Sequence, residues 1–432
     1  MEIPIPYTDM NRSLPTVAAT AAAFVLTACA DIPAANRNAW HAVVDTLGDT
    51  ITVRTLAGSV WGDTVTLEPE VLIGLLEGED AYLIGEPQSL AVGPTGIIYV
   101  LDTQVPVVRA YAPNGTHLRD IGRKGGGPGE YQAPDGMTAA RDGRVLVRDP
   151  GGARIVVYDS AGAFLEQWPL SGGFNTSRPL AFDTSGRVYT TVLLNRGTPP
   201  WEWIMGMLRY SAEGQPLDTV RAPTWDFEPA RITASRERSS SSSSVPFTPQ
   251  RSWAFSPLGY MVGGVSTDYR IDLYRTGGPV LRLERAWTPV PVHAEEAEER
   301  RQAQIERFKR QYGSWRWNGP PIPDAKPPFR ELFVSQEGNV WVLLSQTGRA
   351  VLSEDEAREE ERRSGRRPYR YREHPAFDVF APDGRYFGHV RVPEAFEVEP
   401  QPWVQGNRVW AVTRDDLDVA RVVRFRMVPS SN

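Results

Sequence analysis

The sequence predicts an all-β protein: a six-bladed propeller whose last blade is closed by an N-terminal strand, with one inserted helix. Three observations predict it. First, a paragraph of short strands and polar turns returns about every 40–50 residues, the spacing of propeller blades. Its plainest copies are Leu90–Ile121 and Gly136–Leu170. Second, six turn glycines, Gly96, Gly143, Gly186, Gly259, Gly338 and Gly406, each lead into a strand rich in Val, Ile and aromatic residues. Third, the 432-residue chain holds 38 Gly, 37 Pro and 13 Trp, a turn-rich balance that suits short strands better than helices.

The blades are expected in chain order. The glycine-led strands (Ile97–Val100, Arg144–Val147, Arg187–Thr190, Tyr260–Val262, Asn339–Val342, Asn407–Val412) read as the inner strands, apolar because both faces are buried. Polar-Gly turns at Asn114-Gly115, Ala161-Gly162, Glu213-Gly214, Gly277-Gly278 and Asp383-Gly384 then join the outer strands. The sixth blade, ending at Arg421–Val428, lacks such a turn after its third strand. A strand near Val43–Leu56 is expected to complete it and remove the open edge.

Between the first two blades runs a glycine crossing, Gly125-Gly126-Gly127-Pro128-Gly129, followed by Glu130-Tyr131 and Pro134. No Lys-Ser/Thr pair and no helix follow it, so a phosphate loop is not indicated. On these residues the chain resembles NHL-type six-bladed propellers, including exported bacterial members. The resemblance is strongest over the first two blades and weakest over the fourth. It implies the fold and leaves function open, because that fold hosts lactonases, lyases, receptors and scaffolds.

The N-terminus carries a second signal. Arg12 precedes a short apolar run, Leu14–Leu26, that ends in Leu26-Thr27-Ala28-Cys29. The run is about half the length needed to span a bilayer and reads as a cleaved signal. Its end resembles the bacterial lipobox, which implies lipidation of Cys29, attachment to a membrane through that lipid, and, with Ala30 next, an outer-membrane location in the cell envelope. Met10 makes a better start for such a signal than Met1. Residues 1–29 are thus expected as signal peptide and lipobox, 30–41 as a tether and 42–429 as one propeller. Cys29 is the single cysteine, which excludes disulfides and a thiol nucleophile in the body of the chain. The net charge of −6 and pI near 5.6 argue against a nucleic-acid surface.

Insertions interrupt the repeat at about 195–205, 226–250, 293–328 and 353–375. The second holds the serine run Ser239–Ser244 beside Arg231, Arg236 and Arg238 and reads as a flexible loop. The third holds the one expected helix, Ala294–Tyr312, with Glu295, Glu296, Glu298 and Glu299 first, Arg307, Lys309 and Arg310 last, and Gly313 as its stop. Its stripe of Ile305, Phe308 and Tyr312 is expected to dock on the propeller. The fourth has an acidic block, Glu354–Glu361, and an Arg-rich block, Arg362–Arg372, expected as a solvated helix and tail, with an anionic ligand as the sharper reading.

Candidate site residues are few. Six positions after each turn glycine stand Asp102, Asp149, Val192, Val265, Leu344 and Val412, taken as a ring at the channel mouth. Asp102 and Asp149 are weak metal candidates, for Ca²⁺, although two carboxylates alone do not complete a hard cation's shell. Their alternative role is to cap turns. No cofactor is required. Histidines are sparse and none pair at zinc-ligand spacing. Loop tryptophans Trp201, Trp203, Trp225, Trp315 and Trp317 are the ligand-binding candidates, for a protein, peptide or glycan. The reading that follows is a binding or assembly module at the envelope, leaning away from an enzyme. Its alternative is a Ca²⁺-dependent hydrolase or lyase with its site in the central channel.

Overall fold

The computed structural model describes residues 38–62, 64–170, 180–195, 202–236, 239–365 and 367–430. Cys29 and Trp201 lie outside them. Six blades follow one another around a ring. Blade 1 is Pro87–Val92, Ile98–Asp102, Val107–Tyr111 and His117–Ile121, each strand antiparallel to the next. Blade 2 spans Gly136–Pro169, blade 3 Ala181–Arg221 and blade 4 Arg251–Arg285. Blade 5 pairs Phe329–Val334, Val340–Leu344, Ala376–Phe380 and Tyr386–Arg391. Blade 6 is Trp403–Gln405, Arg408–Arg414 and Ala420–Pro429.

The tight turns form as the polar-Gly pairs require. Gly96 sits at φ +82° and Gly384 at φ +95°, backbone that side-chain-bearing residues rarely adopt. A Cβ on Gly384 would also meet Val53 at 2.9 Å. The glycine crossing folds over Tyr131, which is fully buried and donates its hydroxyl to Ile121 O at 3.3 Å. Apolar side chains of adjacent blades share cores, as where Tyr99 and Leu101 of blade 1 meet Met137, Val145 and Val147 of blade 2.

An N-terminal strand does close the ring, but it is Val65–Ile73 rather than the expected Val43–Leu56. Val65–Ile73 runs antiparallel to Ala420–Pro429 and touches the outer strand of blade 5 in parallel. Glu68 meets Arg426 at 3.0 Å, and Glu70 meets Arg408 at 3.1 Å and Arg424 at 3.0 Å. The alternating arginines of the last strand thus find the alternating acids of the closing one. Val43–Leu56 cannot serve because Gly48, at φ +56°, folds it back into a hairpin, His41–Leu47 with Thr50–Ala57. That hairpin extends blade 4, its second strand lying parallel to Val280–Arg285.

A second correction concerns the strand order. The glycine-led strands are second in their blades, not innermost. The innermost are the short segments before the turn glycines: Pro87–Val92, Gly136–Ala139, Ala181–Phe182, Arg251–Ser256, Phe329–Val334 and Trp403–Gln405.

Two helices are present. Helix α1, Ala294–Tyr312, lies where the charge gradient puts it, and Gly313 caps it by donating its N–H to Lys309 O at 2.8 Å. Helix α2, Glu354–Ser364, starts on a capping box. Ser353 Oγ accepts from Glu356 N at 3.2 Å, and the Glu356 carboxylate accepts from Ser353 N at 2.7 Å. No helix among the described residues is long and apolar enough to cross a membrane.

Candidate functional site

Propeller topology sorts the connections by face. When all innermost strands run the same way, turns between strands one and two, and three and four, emerge on one face. Connections between strands two and three, and from blade to blade, emerge on the other. Every insertion belongs to the second class. Residues 194–204 join the second and third strands of blade 3, and 345–375 do so in blade 5. Residues 222–250, 286–328 and 392–402 lead from blade to blade. One face therefore carries only tight turns, and the other carries a cap.

The cap is knitted together. The serine run, expected as a flexible loop, is a strand. Ser239–Ser244 pairs with Arg231–Arg236 along its whole length. A serine-rich composition does not prevent order here, because backbone ladders need no side-chain contribution. The apolar area comes from Ile232, Ala234 and Val245, which pack against Phe308 of α1 and Trp315. The α1 stripe thus docks on this hairpin. Trp315 is 8% exposed and donates its indole N–H to Thr233 O at 2.8 Å. Trp317 covers the same core and donates to Gly319 O at 2.9 Å. Trp225 lies against blade 4, where a Cβ on Gly263 would meet its ring at 2.8 Å. Of the described candidate tryptophans, Trp203 is the exposed one.

Three insertions meet at the ammonium of Lys326, which is wholly buried. It donates to Glu296 of α1 at 2.7 Å, to Glu373 at 3.0 Å and to Gln346 O at 3.1 Å. It also sits 4.7 Å from the ring centre of Phe247. Glu299 of α1 accepts the backbone N–H of Arg370 at 2.9 Å and of Tyr371 at 3.2 Å. The Arg-rich block is answered mainly from its own insertion. Arg367 and Arg370 both pair with Glu354, at 2.6 and 3.0 Å, and Arg363 pairs with Glu360 at 2.6 Å.

Asp102 and Asp149 stand at the ends of second strands on the insertion face. Asp102 accepts the N–H groups of Gly85, Glu86 and Gln104, each at 3.0 Å, and Arg109 at 2.6 Å. Burial works to raise its pKa, but these donors hold it below the ordinary carboxylate value. Asp149 accepts Ala133 N at 2.7 Å and Gln132 N at 3.1 Å, with Arg154 at 3.4 Å. Each carboxylate fixes the chain entering its own blade, and N–H donors take up its oxygens. Among the described residues no group of three or more His, Cys, Asp and Glu side chains could hold a metal ion.

The channel itself is narrow. Leu90, Thr138, Phe182, Ala254, Val334 and Val404, one from each innermost strand or its end, leave a cavity of about 80 Å³. Room opens above it. At the mouth on the insertion face a hollow of about 520 Å³ lies between Glu86, Gln88, Glu331, Glu399, Gln401 and Arg414, over a floor that includes Phe333 and Phe377.

One cluster has no counterpart in the sequence reading. Asp378, on the third strand of blade 5, is wholly buried. It accepts Tyr269 and Tyr386 hydroxyls, each at 2.7 Å, pairs with Arg285 and lies 3.3 Å from His389 Nδ1. Burial opposes its charge, and His389, Arg285 and the two tyrosines outweigh it, so the acid stays below its ordinary pKa. Tyr386 is pushed far above the usual phenol value, first by burial and then by the Asp378 charge. The available signal was the charge itself: an Asp inside the apolar run Ala376–Phe380 needs buried donors.

Comparison with known proteins agrees with the fold. The DUF5128 family, described as a 6-bladed beta-propeller, matches residues 72–175. No curated protein matches the chain. A candidate exported protein from Bacteroides fragilis is similar in structure at 10% identity and TM-score 0.44, covering 88% of this chain and 99% of its own. A member of the duf4221 family from Bacteroides vulgatus gives 10% and 0.44, covering 85% and 99%. The calcium-binding protein regucalcin from Agrobacterium tumefaciens gives 11% and 0.37, covering 84% and 95%. The protein is a six-bladed β-propeller.

Proposed function

We propose that this propeller is exported, held at the bacterial cell envelope by lipid on Cys29, and serves as a binding or assembly module whose working surface is the insertion face. One observation carries this reading. Three separate insertions converge on the buried ammonium of Lys326, so the cap is a preformed surface and not a set of independent loops. A preformed surface loses little conformational entropy on binding. Trp203 offers an exposed aromatic on the same face, suited to a protein, peptide or glycan. The lipobox at Leu26–Cys29 supports the anchor, and Ala30 supports the outer membrane.

The test uses the full chain in its envelope. Cys29→Ser should abolish palmitate incorporation and release the protein from membranes. Cross-linking followed by peptide mapping should place partner links within 286–328, 345–375 and around Trp203, and Trp203→Ala should weaken capture. Links confined to the tight-turn face, or membrane retention unchanged in Cys29→Ser, would overturn the reading.

A further inference from the structure

Between blades 4 and 5, on the insertion face, a hollow of about 350 Å³ opens beside the Asp378 cluster. That is the size of a pocket for a small organic molecule. Its polar groups are unusual in being held from behind. Arg285 gives one guanidinium nitrogen to Asp378, and its Cζ lies over Tyr386, 4.4 Å from the ring centre. The side chain is 35% exposed, and its hydrogen bond to Asp378 is made through Nη1. The guanidinium is thus oriented and charged, with donors left over. Burial opposes its charge, but Asp378, Tyr386 and Tyr269 raise its pKa.

Ser345 is the second observation. It is 4% exposed, lines the hollow, and its Oγ has no hydrogen-bond partner. A buried hydroxyl without a protein partner calls for one from water or a ligand. Trp287, Val290, Pro328 and Leu344 give the hollow an apolar side, and Thr288 and Gln346 add polar groups to its lining.

We infer that this hollow is a binding site for a small monocarboxylate with a flat apolar body. The carboxylate pairs with the free edge of Arg285 and takes the Ser345 hydroxyl, and the body lies against Trp287. One guanidinium fits a single carboxylate and not a polyanion. Asp378 does not repel the ligand strongly, because two phenols, Arg285 and His389 surround its oxygens. The inference stands apart from the proposed partner surface, although the site lies at the roots of two insertions.

Calorimetric titration of the full chain with phenylacetate tests it, with phenethylamine as the cationic control. Phenylacetate should bind and raise the melting temperature, and the amine should do neither. Removing Arg285 also orphans Asp378, so the deciding variants are Ser345→Ala and Trp287→Ala. Each should weaken phenylacetate about tenfold, the effect of one lost hydrogen bond or one lost aromatic wall. Ser345→Val should fill the space and block binding. A folded wild-type chain that ignores phenylacetate, binds the amine equally, or binds phenylacetate unchanged in all three variants would overturn the inference.

Discussion

Blades 2 and 5 each bury one carboxylate completely, and they use it in opposite ways. Asp149 of blade 2 is taken up by backbone N–H groups and an arginine of its own blade, and its work ends there. Asp378 of blade 5 takes side chains from two blades and none from backbone, and two of those side chains, Tyr269 and Arg285, line a hollow. A carboxylate held by backbone fixes a turn. A carboxylate held by side chains fixes the side chains, and what they do with their remaining donors is then open. Blades 1 and 2 show the first use, and blade 5 shows the second.

The sharpest way to break this comparison is to remove the acids. Asp378→Ala strands Arg285 and two tyrosine hydroxyls in the interior and should cost about 3–5 kcal/mol in guanidinium unfolding. Lys326→Met leaves Glu296 and Glu373 facing each other. It should cost about 3 kcal/mol, read as protease cleavage within 286–328 and 345–375 while the ring stays intact. Adding Glu296→Gln and Glu373→Gln to that variant should recover part of the loss. Gly384→Ala should cost about 1–2 kcal/mol, because it strains a φ of +95° and presses on Val53 of the N-terminal hairpin. Glu70→Ala, in a partly exposed pair network, should cost under about 1 kcal/mol and vanish at high salt.

Acid unfolding sharpens the same contrast. Asp378 has a folded pKa below its unfolded value, so its contribution is present above the ordinary aspartate range, near pH 3.9, and is lost as pH falls through the folded value. Asp102 behaves likewise. Asp378→Asn should therefore flatten the stability-against-pH slope below about pH 4 by up to about 1.4 kcal/mol per pH unit, the effect of one proton. A slope unchanged in that variant would mean the acid is not ionised in the fold.

Most of the ring was legible because its signals are local. Turn glycines at positive φ, apolar strands between them and the charge gradient of Ala294–Tyr312 each act over a few residues. What was not legible depends on residues far apart in the chain. The closing strand needed the match between Glu68, Glu70 and the arginines of 408–426. Ser239–Ser244 reads as disordered until Phe308 and Trp315 arrive from another insertion. The rank of strands within a blade is invisible to a period-two pattern, so the sequence places Asp102 and Asp149 at the channel mouth and not behind it. Asp378 and Lys326 were detectable as charges in apolar surroundings, but their partners come from 109 and 30 residues away.

The seal between Val65–Ile73 and Ala420–Pro429 also sets an order of events. The first of these segments is made well before the other, with five blades encoded between them. Until the second is made, Val65–Ile73 has only the outer strand of blade 5 to pair with, and the ring is open. A chain truncated after Val419 should encode the first five blades and have no partner strand for Val65–Ile73.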